Sequence, residues 1–162
     1  MAQAASIAAG KVVALLTDSV AGLGPVLAEI AVNAGVELAG ISVVGQNAPV
    51  ALMEKSSAVK YPVVLVYSDR VQNLLTEKFR NFSGKVRTVA EVRASQDRFE
   101  ALEERVRLYV DAVTQVLDAN RGDWGQGMFF TGGYEVKFDP VQHGGRNVLQ
   151  VAKVIFEVDL SS

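Results

Sequence analysis

Lys85-Val86-Arg87-Thr88-Val89-Ala90-Glu91-Val92-Arg93-Ala94 decides the fold, because its side chains alternate. Val86, Thr88, Ala90, Val92 and Ala94 fall on one face and Arg87, Glu91 and Arg93 on the other, with Val89 the exception. Such a period of two predicts a strand buried on one face and wet on the other. Directly after it, Asp97-Arg98-Phe99-Glu100 has the spacing of a capping box: Asp97 accepts from a first-turn amide and Glu100 reaches back. A helix is therefore expected to start at Arg98. Phe99, Leu102, Val106, Tyr109, Val110, Val113, Val116 and Leu117 recur at helical spacing, and Asn120-Arg121-Gly122 supplies the stop.

Downstream, Tyr134, Val136 and Phe138 alternate with Glu135, Lys137 and Asp139, the pattern of a strand leaving on a long hairpin. Its return, Val148 to Leu160, sets Val148, Ala152, Val154, Phe156 and Val158 on one face and Leu149, Val151 and Ile155 on the other. The long helix covers one of these faces, so the second needs the N-terminal helices or a neighbouring subunit. Asp139-Pro140 to Asn147 is longer than a tight turn and contains Gly144-Gly145. A projecting, mobile loop carrying His143 and Arg146 is expected there, with contact as its use.

Upstream, Tyr61-Pro62-Val63-Val64-Leu65-Val66-Tyr67 is apolar on both faces and predicts an interior strand. Between it and Lys85, the spacing of Val71, Leu74, Leu75 and Phe79 allows a short amphipathic helix or a long loop. Val12, Val13, Leu16 and Val20 fit one helical face, and Pro25 suits the first turn of a second helix running toward Gly35. Leu38 to Val44 has the composition of a strand, whereas Gly45 to Ser57 is ambiguous between turn, strand and helix. The expected fold class is α/β (α+β): a mainly antiparallel sheet of about four strands packed on one long helix over about 98–121, plus N-terminal helices. One domain is expected over 1–162, with an apolar helical segment over 1–60 and a sheet-helix-hairpin core over 61–160.

Composition narrows the chemistry. The 162 residues are 49% hydrophobic, with 16 basic and 18 acidic side chains, so there is no general electrostatic drive toward nucleic acid or an acidic membrane. Cysteine is absent, which removes disulfides, thiolate catalysis and sulfur-ligated zinc. Neither a signal peptide nor a membrane span is expected. Residues 1–60 hold 7 of the charged side chains and residues 61–162 the other 27, so the first third needs cover from the rest or from a partner.

The candidate chemical groups have plainer readings. His143 is the only histidine and has no ligand-spaced companion, which suits a loop residue better than a metal ligand or general base. Glu100, Glu103 and Glu104 sit beside Arg105 and Arg107, as on a solvated helix face. Gly22-Leu23-Gly24 and Gly10-Lys11 both lack the further residues of a nucleotide motif. Trp124, in the glycine-rich run Gly122 to Gly127, is either folded back as a lid, the commoner fate of an aromatic, or displayed to a partner. No catalytic, cofactor or metal residue is identified. The candidate interface residues are Arg87, Glu91, Arg93, Trp124, Glu135, Lys137, His143, Gly144, Gly145 and Arg146.

The order of these segments resembles a known family. Tyr61 to Tyr67, Glu77-Lys78-Phe79-Arg80 to Ser83-Gly84, Val92 to Arg98 entering the helix, and Gly132-Gly133-Tyr134-Glu135-Val136 followed by Val154 to Asp159 look like the tail-terminator, or tail-completion, proteins of tailed bacteriophages. The likeness covers about residues 60–160. It implies an α/β virion protein, assembled in the host bacterial cytoplasm, in which six copies form a ring capping the tail tube beneath the neck. The partners it implies are further copies of the chain, the tail-tube protein, a neck or head-completion protein and, for the alanine-rich start, a sheath protein. No enzyme activity, cofactor or membrane is implied, and DNA is only cargo passing through the channel. Two other readings stand beside it: a head-completion or neck connector, and a small α/β ligand-binding module or enzyme.

Overall fold

The computed structural model describes residues 2–45, 61–96, 101–144 and 147–162. These residues form three helices, α1 (Ala2–Leu16), α2 (Leu23–Ala34) and α3 (Leu102–Ala119). They also form eight strands, β1 (Ser42–Gly45), β2 (Val63–Asn73), β3 (Ser83–Gln96), β4 (Gly122–Gly125), β5 (Met128–Phe130), β6 (Tyr134–Phe138), β7 (Gln142–Gly144) and β8 (Asn147–Ser161). The class is mixed α+β. The sheet, however, has eight strands where about four were expected.

Two long strands organise it. β3 and β8 pair antiparallel without a break from Ser83↔Ser161 to Gln96↔Val148. On the far side of β3 lies antiparallel β2, and beyond it the short β1, which is parallel to β2. The other edge of β8 is shared in succession by β7, β6 and β5, with β4 outermost. β8 therefore acts as a spine on which three separate short strands are hung. Strands of three or four residues have too little length to show a period of their own; of these only β1 overlaps a stretch with the composition of a strand, Leu38 to Val44, while β4, β5 and β7 lie where no strand is expected.

One face of this sheet meets the helices. Val64 and Val66 of β2, Val86, Ala90 and Val92 of β3, and Ala152, Val154, Phe156 and Val158 of β8 share one buried cluster with Leu102, Val106, Val110 and Val113 of α3 and Val12 and Leu16 of α1. α1 lies against β2 and β3, α3 against β3 and β8, and α2 against α3. Two cross-links tie the helical segments down: Ser68 Oγ donates to Ala5 O at 3.1 Å, and Tyr109 OH donates to Ala39 O at 3.2 Å. Gly35, in the left-handed region at φ 64, ends α2 and returns its N–H to Ala31 O and Val32 O.

Several expectations need correction. β2 continues to Asn73, through a register shift between Ser68 and Arg70, and occupies ground where a helix was allowed around Val71. The rest of that stretch, Leu74 to Phe82, is a loop rather than helix. Within the described residues α3 begins at Leu102, with Ala101 as its N-cap at φ 65, rather than at Arg98. The proposed Asp97–Glu100 capping box lies outside the described residues, as do Phe99 and the ambiguous segment from residue 46 onward. The stretch Pro140 to Asn147 is no plain loop: β7 pairs with β8 from Gln142↔Leu149 to Gly144↔Asn147, so the hairpin runs almost to its tip. Gly145 and Arg146 lie outside the described residues.

Candidate interaction surface

The sheet face opposite the described helices carries most of the chain's strand-borne charge. Across β2, β3, β8 and β6 its rows read Leu65–Glu91–Lys153–Lys137, then Tyr67–Val89–Ile155–Glu135, then Arg70–Arg87–Glu157. Opposite signs stand side by side: Lys85 Nζ lies 3.5 Å from Glu157 Oε2, and Arg87 Nε lies 3.1 Å from Asp69 Oδ1. The second of these is a charge contact only, since no acceptor meets Arg87 Nε in hydrogen-bond geometry. Both pairs are half-exposed, so solvent screens them and each adds little stability.

Glu91 behaves differently. It is only 2% exposed and Arg93 9%, and Leu65 and Val89, its neighbours on the same face of β2 and β3, are equally buried. Arg93 Nε donates to Glu91 Oε2 at 2.6 Å, Tyr67 OH donates to Glu91 Oε1 at 3.0 Å, and Lys153 Nζ approaches Oε1 at 3.7 Å. Burial raises the Tyr67 hydroxyl above its ordinary value of 10.0, and the nearby Glu91 charge raises it further. These two candidates, read as a wet strand face, are thus a buried polar network, and reversing the charge of Arg93 would test folding rather than subunit contact. On the same face, Glu135 and Lys137 of β6 are exposed, as expected, and Leu149, Val151 and Ile155 of β8 are half-buried.

The remaining candidates separate. Trp124 is folded back: its Nε1 donates to Asn120 O at 2.6 Å and its ring lies 5.3 Å from that of Phe130, which packs edge-on against Phe156. It is a buried lid over the end of α3 and presents no surface to a partner. His143 is exposed on β7 near the hairpin tip, and Gly144 closes that strand. The structure brings together Arg87, Glu91, Arg93, Glu135 and Lys137 on one sheet face and leaves Trp124 and His143 elsewhere.

Sequence reasoning missed a second surface, at the end of the sheet where β2 turns into β3. Leu74, Leu75, Phe79 and Phe129 are all exposed there, and Leu74 and Phe129 line one cleft of about 420 Å³ beside Ser161 and Gly84. Leu75 (φ 48) and Phe79 (φ 66) both adopt left-handed backbone, which costs bulky L-residues roughly 1–2 kcal/mol each. The signal available was Phe79 itself, a lone aromatic between Lys78 and Arg80; its spacing from Leu75 allowed a helix and so suggested burial.

Among the described residues no group of three or more His, Asp or Glu side chains is placed to hold a metal ion, and no helix is long and apolar enough to cross a membrane. Comparison with protein-family models gives no match, and comparison with curated proteins gives none either.

Proposed function

We propose that this chain is a structural virion protein that forms a homo-hexameric ring, terminates the tail tube of a bacteriophage and provides the surface that joins the tail to the neck. The observation that carries the reading is the sheet face running from β3 across β8 to β6. It bears charges of both signs, exposed at Glu135, Lys137 and Glu157, and half-buried Leu149, Val151 and Ile155 beside the buried Val89 and Glu91 of β3, and the three described helices lie on the other side of the sheet. Such a face suits work done by surfaces. Contacts around a ring are head-to-tail, so two different patches of one subunit must match. Mixed charge then fixes register and rejects wrong neighbours more than it adds affinity. The resemblance of residues 60–160 to tail terminators supplies the particular assembly.

Mass in solution across concentration tests the oligomeric part of this reading. A ring of six 17.3 kDa chains has a mass of about 104 kDa, whereas a small ligand-binding module stays at 17.3 kDa throughout.

A further inference from the structure

The loop over residues 74–82 displays an aromatic side chain on a frame that is already built. Asn73 holds its base from both sides, accepting at Oδ1 from Leu75 N and Ser83 N and donating from Nδ2 to Asn81 O. Glu77 N donates to Ser83 Oγ at 3.0 Å, and the Glu77 carboxylate accepts from Ser161 Oγ at 2.6 Å, which ties the loop to the end of β8. On this frame Phe79 stands fully in solvent with its backbone in the left-handed region. Among the described residues no contact covers the Phe79 ring, which is fully exposed. Strain held in place around an exposed aromatic is the form of a preorganised binding anchor, which loses little conformational freedom when it docks.

An apolar groove lies at the other end of the sheet. The C-terminal end of α2 and the segment leading to β1 enclose, with Arg105 of α3, an open groove of about 720 Å³ whose apolar lining includes Val32, Val36 and Leu38. Val32 is 80% exposed there. Its position follows from two bonds: Arg105 Nη1 donates to Gln96 Oε1 at the last residue of β3, and Ser42 N donates to Pro62 O just before β2 begins. The Phe79 loop follows the last residue of β2, and eleven residues of strand separate the two ends by roughly 35 Å. Each side offers one charge to match, Lys78 on the loop and Glu37 in the groove, whose lining also carries the cation Arg105, bonded to Gln96. Lys78 and Arg80 flank Phe79, Glu37 lines the groove, and neither Lys78 nor Glu37 has an ion-pair partner among the described residues.

We infer that Phe79 of one copy seats in the groove lined by Val32, Val36 and Leu38 of a second copy, with Lys78 set against Glu37. The knob and the hole belong to one chain but lie at opposite ends of its sheet, so each copy offers both halves of a head-to-tail contact. This inference rests on the ring reading above and names one contact within it.

The chain has no cysteine, so R80C, which leaves the neighbouring Phe79 in place, and V32C each carry a single thiol. Both positions are exposed, and neither change disturbs the core. When the two variants are mixed under mild oxidation, one of them tagged, the expected product is a disulfide-linked pair of about 35 kDa (two 17.3 kDa chains) containing one of each. F79A should weaken association at least ~10-fold, as loss of an aromatic anchor does, with unchanged melting. E37K should weaken it too, and K78E should restore it. Linkage only between like variants, or no linkage, overturns the contact. A six-fold mass without the mixed product removes this contact and leaves the ring, whereas a mixed product in a species no larger than a dimer keeps the contact and removes the ring.

Discussion

Glu91→Ala is the perturbation that most sharply separates a buried network from a charged surface. The carboxylate is almost fully buried and receives Arg93 Nε at 2.6 Å and Tyr67 OH at 3.0 Å. Truncation deprives Arg93 of this partner in a site that solvent barely reaches. Breaking a buried pair from one side costs about 3–5 kcal/mol; Lys153, whose side chain is 32% exposed, can turn to water, so the lower end applies, about 3 kcal/mol. With a urea slope of about 2 kcal/mol/M, the midpoint should fall by roughly 1.5 M, and melting by roughly 6–12 °C. Glu91→Gln, which can still accept from Tyr67, should lose less. Glu157→Ala is the control: its pair with Lys85 is half-exposed and should be worth under about 1 kcal/mol. Urea unfolding of the three variants beside the parent, at constant slope, reads these differences. If Glu91→Ala were no more destabilising than Glu157→Ala, the buried network would not exist as described.

Val106→Asp places a charge among α3 core residues that are fully covered and should cost several kcal/mol; soluble protein with unchanged melting would refute the helix packing. Tyr67 gives an alkaline signature. Its raised pKa means that the folded state holds the proton more tightly than the unfolded chain, so its contribution is complete below pH 10.0 and declines as pH rises above it. Tyr67→Phe should flatten that part of the decline in urea midpoints measured between about pH 9 and 11. Gly127 sits at φ 80, where a Cβ would also meet Ser161 O, so Gly127→Ala should lose at least about 1–2 kcal/mol in the same assay and loosen the pairing of Gly127 with Ser161.

What the sequence revealed depended on length and locality. α3 was legible because Leu102, Val106, Tyr109, Val110, Val113, Val116 and Leu117 recur over several turns, and all seven are buried. β3 and the return strand were legible from alternation, and on β8 the Val148-to-Leu160 face is buried while its opposite is not. Their mutual pairing was not legible, since Ser83↔Ser161 joins residues far apart in the chain and no local pattern encodes that partner. The same ignorance of neighbours misplaced Glu91 and Arg93: a charged position on a strand looks wet until the flanking strands are known. Around Val71 the register shift after Ser68 broke the period of two, and the residues that followed mimicked helical spacing. Phe79 escaped because an exposed aromatic on a left-handed backbone defies the ordinary rule that such side chains are buried.

The claim that this chain ends a tail tube is tested most directly by the tails made without it. Electron micrographs of lysates from phage lacking the protein should show tails of irregular and excessive length, none joined to a head, because nothing stops tube growth or presents a docking face. Tails of normal, uniform length in those lysates would contradict the account and assign the protein to the neck instead.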